Sequence, residues 1–193
     1  MYVAIEGTDT AGKSTQIEAL RLLFPDALIT KEPGGTAVGS EIRNMVLHGD
    51  LKSKTAELLL FLADRAEHTE SVIVPNMNRL IISDRSAVSG MAYASVQDLC
   101  DESTLVMLNR LATNGTLPDT VFILKLTPEE LARRLSQKEH DAIESRGIDY
   151  LLSIQDALIA SAYALGITTV VIDATQSIDT ITSEITTCIK GAL

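Results

Sequence analysis

The chain has 193 residues, 46% of them hydrophobic and 22% charged, which is enough to bury a sizeable core and unlike a disordered segment. Its 26 acidic residues outnumber 16 basic ones and give a net charge of -10. Such a surface repels nucleic acid and anionic membranes, so any phosphate must be bound in a local pocket and not on a basic face.

The first predicted strand is the apolar run 2–5, which ends on Glu6. Behind it, Gly7-Thr8-Asp9-Thr10-Ala11-Gly12-Lys13-Ser14 matches the phosphate-binding pattern GxxxxGK[ST]. Glycines let the backbone turn tightly and aim N–H groups at phosphate oxygens. A helix predicted over 13–24 adds the positive end of its dipole. Lys13 is placed to reach the β- and γ-phosphates of ATP, and the Ser14 hydroxyl to hold Mg2+. With Thr15 in the first helical turn, the run 7–15 is the expected nucleotide cradle.

The second apolar run, 27–29, is followed by Glu32-Pro33-Gly34-Gly35-Thr36. Pro-Gly-Gly makes a turn, and the spacing alone assigns it no ligand. The next helix carries Arg43, which by itself reads equally as a solvated surface arginine. A stretch of helical period spans 55–74. The run 80–82 then leads into Ser83-Asp84-Arg85. Ligands of open α/β sheets sit at the carboxyl ends of strands. Asp84 is therefore a candidate to hold Mg2+, and Arg85 to grip a phosphate.

Runs 121–124 and 169–172 complete five candidate strands. They are rich in β-branched residues and mostly lack in/out alternation, as strands buried on both faces of a parallel sheet do. Strands alternating with helices make the fold class α/β. No repeat, low-complexity tract or linker divides the chain, so one domain is expected over 1–193.

Cys100 and Cys188 stand far apart and imply no disulfide framework. His48, His68 and His140 have no metal-ligand spacing and read as ordinary surface or helix residues. No apolar run approaches the roughly 18 residues of a membrane span. The amino terminus lacks the basic start of a signal peptide, and a cytoplasmic location is expected.

Taken together, these motifs resemble the thymidylate kinase family across nearly the whole chain. The phosphate loop lies inside Glu6-Gly7-Thr8-Asp9, and the loop 32–36 is similar to one typical of that family. Phe61 and Arg65 lie in a matching helical segment. Asp84-Arg85, followed by Ser89-Gly90-Met91-Ala92-Tyr93, is similar to the family's DR(Y/H)xxSxxAY segment. The resemblance implies a P-loop NTPase three-layer fold, with a five-stranded parallel sheet flanked by helices. It implies transfer of the γ-phosphoryl group of ATP to dTMP with Mg2+, and a homodimer.

Residue by residue, it implies that Phe61 stacks on thymine and Arg65 donates to the base O4. Their i, i+4 spacing puts both on one helix face. Arg43 and Arg85 would clamp the acceptor phosphate. Asp9 would accept from the sugar 3′-OH, and Tyr93 would sit where a 2′-OH would project. Glu32, Pro33, Ser89 and Gly90 complete the implied acceptor site.

In some family members an arginine follows the acid of the phosphate loop; here that position is Thr10. Catalytic cations are therefore expected in a short lid near 133–145. Thr127 is predicted as the N-cap of its helix, with Pro128 at N1 and Glu130 at N3 of a capping box. Arg134 and Lys138, spaced i, i+4, would swing onto the transferring group, unless with Arg133 they form a solvated face. The lid's common Asp-Arg pair reads Asp141-Ala142. The residues leave open a kinase for another nucleotide or a nucleoside, and a nucleotide-binding switch with no acceptor.

Overall fold

The computed structural model describes residues 1–137 and 147–192. Five parallel strands form one sheet in the order β2-β3-β1-β4-β5. They are β1 (Tyr2–Gly7), β2 (Leu28–Lys31), β3 (Ile81–Asp84), β4 (Thr120–Lys125) and β5 (Thr168–Asp173). Each predicted run is a strand. The expected burial on both faces holds for the three central strands. The edges β2 and β5 are partly open, because each has a sheet neighbour on one side only.

Helices cover both faces. They are α1 (Lys13–Leu23), α2 (Ala37–His48), α3 (Lys54–His68), α4 (Ala87–Val96), α5 (Glu102–Ala112), α6 (Pro128–Leu135), α7 (Ile148–Leu165) and α8 (Ile178–Ala192). The period-2 pleat sorts the side chains of the central strands. Val3 and Ile5 of β1, with Phe122 and Leu124 of β4, pack with Leu20 of α1 and Ile185 of α8. The intervening Ala4, Val121 and Ile123 pack with Leu62, Val88, Leu105 and Leu158 of α3, α4, α5 and α7. Full burial of a side chain such as Phe122 stabilises by about 1.5–3 kcal/mol.

The helical stretch predicted over 55–74 is less regular than its periodicity implied. After His68 the chain widens into a π-helical turn, Thr69–Ile73, and then tightens into a 3-10 turn, Val74–Asn76. Such widened turns recur at functional sites.

The sheet order aligns three strand ends. In register, Ile5 pairs with Asp84 and Asp84 pairs with Lys31. The loops leaving β1, β3 and β2 therefore emerge side by side at the carboxyl edge, where ligands of such sheets bind.

Candidate active site

β1 ends in Gly7, whose φ of 150° brings the backbone against β4. A Cβ there would lie 3.0 Å from the Leu124 carbonyl oxygen and 3.0 Å from the Ala11 Cβ. The 3-10 turn Asp9–Ala11 follows, and Gly12 at φ 97° turns the chain into α1. Ser14 and Thr15 are exposed in the first turn of α1. Among the described residues the buried Thr8 and Thr10 hydroxyls have no partner.

Lys13 is buried, and its Nζ donates to the carbonyls of Gly7 (3.0 Å) and Thr8 (2.9 Å), so the ammonium spans the inside of the loop. Burial, and then the neighbouring Arg85 charge, lower its pKa to about 8; Asp9, Asp84 and Glu6 pull the other way.

Asp84 closes β3, and its buried Oδ1 has no hydrogen-bond partner among the described residues. An unpartnered carboxylate oxygen beside a phosphate loop, with the Ser14 hydroxyl nearby in sequence to the cradle, is a donor set suited to a hard divalent cation.

Arg85 follows with φ 71°, a left-handed conformation that a non-glycine residue rarely adopts. Its guanidinium donates to the Gly7 carbonyl (3.1 Å), to Ser89 Oγ (3.0 Å) and to Asp9 Oδ1. It lies 5.9 Å from the centre of the Tyr93 ring. Burial pushes the Tyr93 phenol up to about 12, and its hydroxyl has no partner among the described residues. Arg43, from α2, donates to the Pro33 carbonyl at 3.0 Å and packs over Gly34.

Phe61 is half-buried on α3 and belongs to none of the core clusters of the described residues. That leaves its ring available for stacking. Arg65, one turn on, is buried. It donates from Nε to Glu32 Oε2 (2.9 Å), from Nη1 to Asn109 Oδ1 (2.9 Å) and from Nη2 to the Ser86 carbonyl (3.3 Å).

Glu32, Ser89 and Gly90 of the implied acceptor site surround these arginines. Glu32 is buried, with Oε2 taken by Arg65 and Oε1 by His68 Nδ1 at 3.0 Å. Burial raises the pKa of Glu32, but Arg65 and His68 outweigh it and the net shift is downward. Ser89 donates to Glu6 and accepts from Arg85. Gly90 provides room, since a Cβ there would lie 2.6 Å from Arg65 Nη2.

The structure also brings in residues that motif reading passed over. Glu6 is fully buried between the hydroxyls of Ser86 and Ser89, and burial raises its pKa. Its signal was a carboxylate closing an otherwise apolar strand. His68 is a helix residue as expected, but it is wholly buried. Its signal was its place three residues after Arg65, on the same helix face. Asn109 gave no signal, because only the tertiary packing of α5 on α3 brings it to Arg65.

The α6 cap is partly as predicted. Thr127 Oγ1 accepts from the Glu130 N–H at 3.3 Å, with Pro128 at N1, but the Glu130 carboxylate turns to Arg133 and Arg134 instead of closing the box. Arg134 donates to the Thr10 carbonyl (3.1 Å) and the Ala174 carbonyl (2.8 Å), so it bolts α6 to the phosphate loop. Arg133 is exposed and paired with Glu130. Lys138, His140, Asp141 and Ala142 lie outside the described residues.

A model of the thymidylate kinase family matches residues 5–185. A thymidylate kinase of Sulfurimonas denitrificans is 62% identical over 185 residues, covering 96% of this chain and 97% of that one. One of Aliarcobacter butzleri is 54% identical over 185 residues, covering 96% of each. The crystal structure of thymidylate kinase from Ehrlichia chaffeensis superposes with a TM-score of 0.76 at 24% identity, covering 98% of both chains, a likeness of fold. With matches of this length and identity, the chain belongs to the thymidylate kinase family.

Proposed function

We infer that the chain transfers the γ-phosphoryl group of ATP to the phosphate of dTMP, giving dTDP and ADP. The carrying observation is Arg85, whose one guanidinium touches the phosphate loop at Gly7, the acid Asp9 and the acceptor-side Ser89. A cation fixed at that junction serves both the donor and the acceptor phosphate. Phosphoryl transfer rests on positioning and charge neutralisation. The acceptor phosphate is already an oxyanion, so no strong general base is required.

In this reading Lys13 and the main-chain N–H groups of 7–15 hold the donor phosphates, and Arg43 and Arg85 grip the acceptor phosphate. Phe61 stacks on the base, Arg65 donates to its O4, Asp9 orients the sugar, and Tyr93 closes the space at the 2′ position. Asp84 and Ser14 would hold Mg2+, which supplies charge neutralisation at the phosphates when bound. Arg134 and Lys138 serve as lid cations within a single kinase domain whose lid lies near 133–145.

A homodimer and a cytoplasmic location complete the proposal. Leu59 of α3 and Met107 and Leu111 of α5 leave apolar surface exposed on a packed helix pair, suited to a second copy. Among the described residues no helix is long and apolar enough to cross a membrane. The test is an acceptor screen with MgATP across the common nucleoside monophosphates and nucleosides, read by coupled ADP release. dTMP is expected to give the highest kcat/KM. Equal turnover without any acceptor would indicate a nucleotide switch instead.

A further inference from the structure

A guanidinium that tells thymine from cytosine must keep one N–H aimed at one place. A carbonyl and an amino group differ there only in which side donates, and a loose arginine would swing away from the wrong partner. Arg65 is not loose. Its three bonds run to three separate elements: Glu32 in the loop after β2, Asn109 on α5 and Ser86 after β3. Asn109 is itself oriented, because its Nδ2 donates to the Leu105 carbonyl at 2.8 Å and so turns Oδ1 toward Arg65. Gly90 lies against the two Nη atoms, where a Cβ would stand 2.6 and 2.8 Å from them, leaving no room for a side chain.

The weak link in this frame would be Glu32, whose carboxylate rotates freely unless its second oxygen is held. His68 holds it. The imidazole Nδ1 lies 3.0 Å from Glu32 Oε1, and Nε2 lies 2.6 Å from Thr30 Oγ1 on β2. The ring is wedged as well as bonded: a Cβ on Gly35 would stand 2.5 Å from its Cδ2. The same loop is fastened to α3 by the Gly34 N–H donating to Asp64 Oδ1 at 2.9 Å. A continuous run thus leads from the sheet through Thr30, His68 and Glu32 to Arg65. It also touches the phosphate side, since the loop's Pro33 carbonyl accepts from Arg43.

We propose that His68 is a specificity-determining positioning residue, which fixes Arg65 through Glu32 and thereby sets the preference for thymine over cytosine in the acceptor. The proposal rests on the reading that Arg65 faces the base O4. His68 touches no substrate. It acts on the direction of one guanidinium, and Thr30 and Asn109 brace the two ends of the same run. Glu32 is a poor site for a test, since removing it strands a buried arginine and endangers the fold. His68 variants keep that ion pair and alter only its orientation.

The experiment compares kcat/KM for dTMP and dCMP in the full chain carrying His68→Gln or His68→Asn. The asparagine amide nitrogen reaches the place of the imidazole Nδ1 and keeps a donor for Glu32; the glutamine does not. His68→Gln is expected to lower the dTMP-to-dCMP ratio about tenfold with the KM for ATP unchanged, and His68→Asn to restore it to within about threefold. A folded His68→Gln with an unchanged ratio overturns the proposal, and so does equal loss in both variants, which marks a packing role only.

If His68→Gln does not fold, Thr30→Val carries the test, with an expected fall of about threefold and no change as the overturning result. Arg65→Lys separates the two levels, because it keeps a cation against Glu32 but loses the fork. An unchanged ratio there overturns the base-reading role itself. A collapsed ratio there, beside a neutral His68→Gln, overturns only the positioning role.

Discussion

The nucleotide cradle and the proposed acceptor side meet at Arg85 and are built in different ways. The cradle is one consecutive run, 7–15, that works through main-chain groups, two positive-φ glycines and a single buried lysine. The proposed acceptor side gathers Glu32, Arg43, Phe61, Arg65 and Tyr93 from a loop and three helices, and at its centre Arg65 and Glu32 are braced by the buried side chains of Asn109 and His68. A backbone cradle is indifferent to which nucleotide it holds. A braced side-chain site can discriminate, at the cost of burying charge that must stay paired.

Lys13→Ala should give the largest effect on the donor half. The ammonium spans the loop and packs against no core cluster, so kcat should fall by at least about 10²-fold while the melting temperature changes little. Near wild-type turnover in the folded variant would remove Lys13 from the reaction. The same lysine carries a pH signature, because its folded pKa of about 8 lies below its ordinary 10.5. In the free enzyme it loses its proton above about pH 8, so kcat/KM for ATP should fall there, and Lys13→Arg should abolish that inflection. In the same window, from about 8 to 10.5, the unfolded chain binds more protons, so this group's contribution to stability rises with pH.

Phe61→Ala tests the acceptor half alone. Base–aromatic stacking is worth about 1–3 kcal/mol per base, so the KM for dTMP should rise roughly ten- to a hundredfold with the KM for ATP unchanged. Equal losses for both substrates would mean that the two halves are not separable at α3.

Arg134→Ala probes the donor half from outside the run. Arg134 braces the Thr10 carbonyl and ties α6 to Ala174, so kcat should drop about tenfold with little change in dTMP affinity. Full kcat in this variant would leave α6 as a strut and return transition-state charge to Arg43 and Arg85.

The contrast between the halves also explains what the sequence could disclose. All five strands were readable because β-branched runs of this length need no tertiary knowledge, and the cradle was readable because its parts are contiguous. Arg43, Phe61 and Tyr93 took on roles only through family resemblance, since their spacing fits a plain surface or core residue equally well. Glu32 was legible as part of a loop but not as the partner of Arg65 and His68, because α3 reaches that loop only in the folded chain. The π-helical turn after His68 left no periodicity of its own, since the apolar pattern runs on through it.

The smallest expected effect tests the seam between the two halves. Glu6 is the last residue of β1 before Gly7 and the cradle, yet its carboxylate turns to Ser86 and Ser89, accepting from Ser86 Oγ at 2.7 Å and from Ser89 Oγ. Both hydroxyl oxygens are already committed: Ser86 accepts from the Val88 N–H at the start of α4, and Ser89 accepts from Arg85. Each serine hydrogen therefore needs a carboxylate oxygen. Glu6→Gln has the same shape but only one oxygen, so one serine must face an amide N–H with no acceptor left. If that serine is Ser89, its hydroxyl loses the acceptor for its hydrogen and must rotate, which disturbs the bond from Arg85 and loosens the proposed acceptor clamp. One such bond is worth about 0.5–1.5 kcal/mol, and Arg85 keeps its contacts with Gly7 and Asp9. The KM for dTMP should therefore rise only about threefold to tenfold, with the KM for ATP unchanged. A variant that loses thermal stability without any change in KM would make Glu6 an anchor for α4. A larger rise in the KM for ATP would instead assign Glu6 to the cradle, through its influence on Lys13.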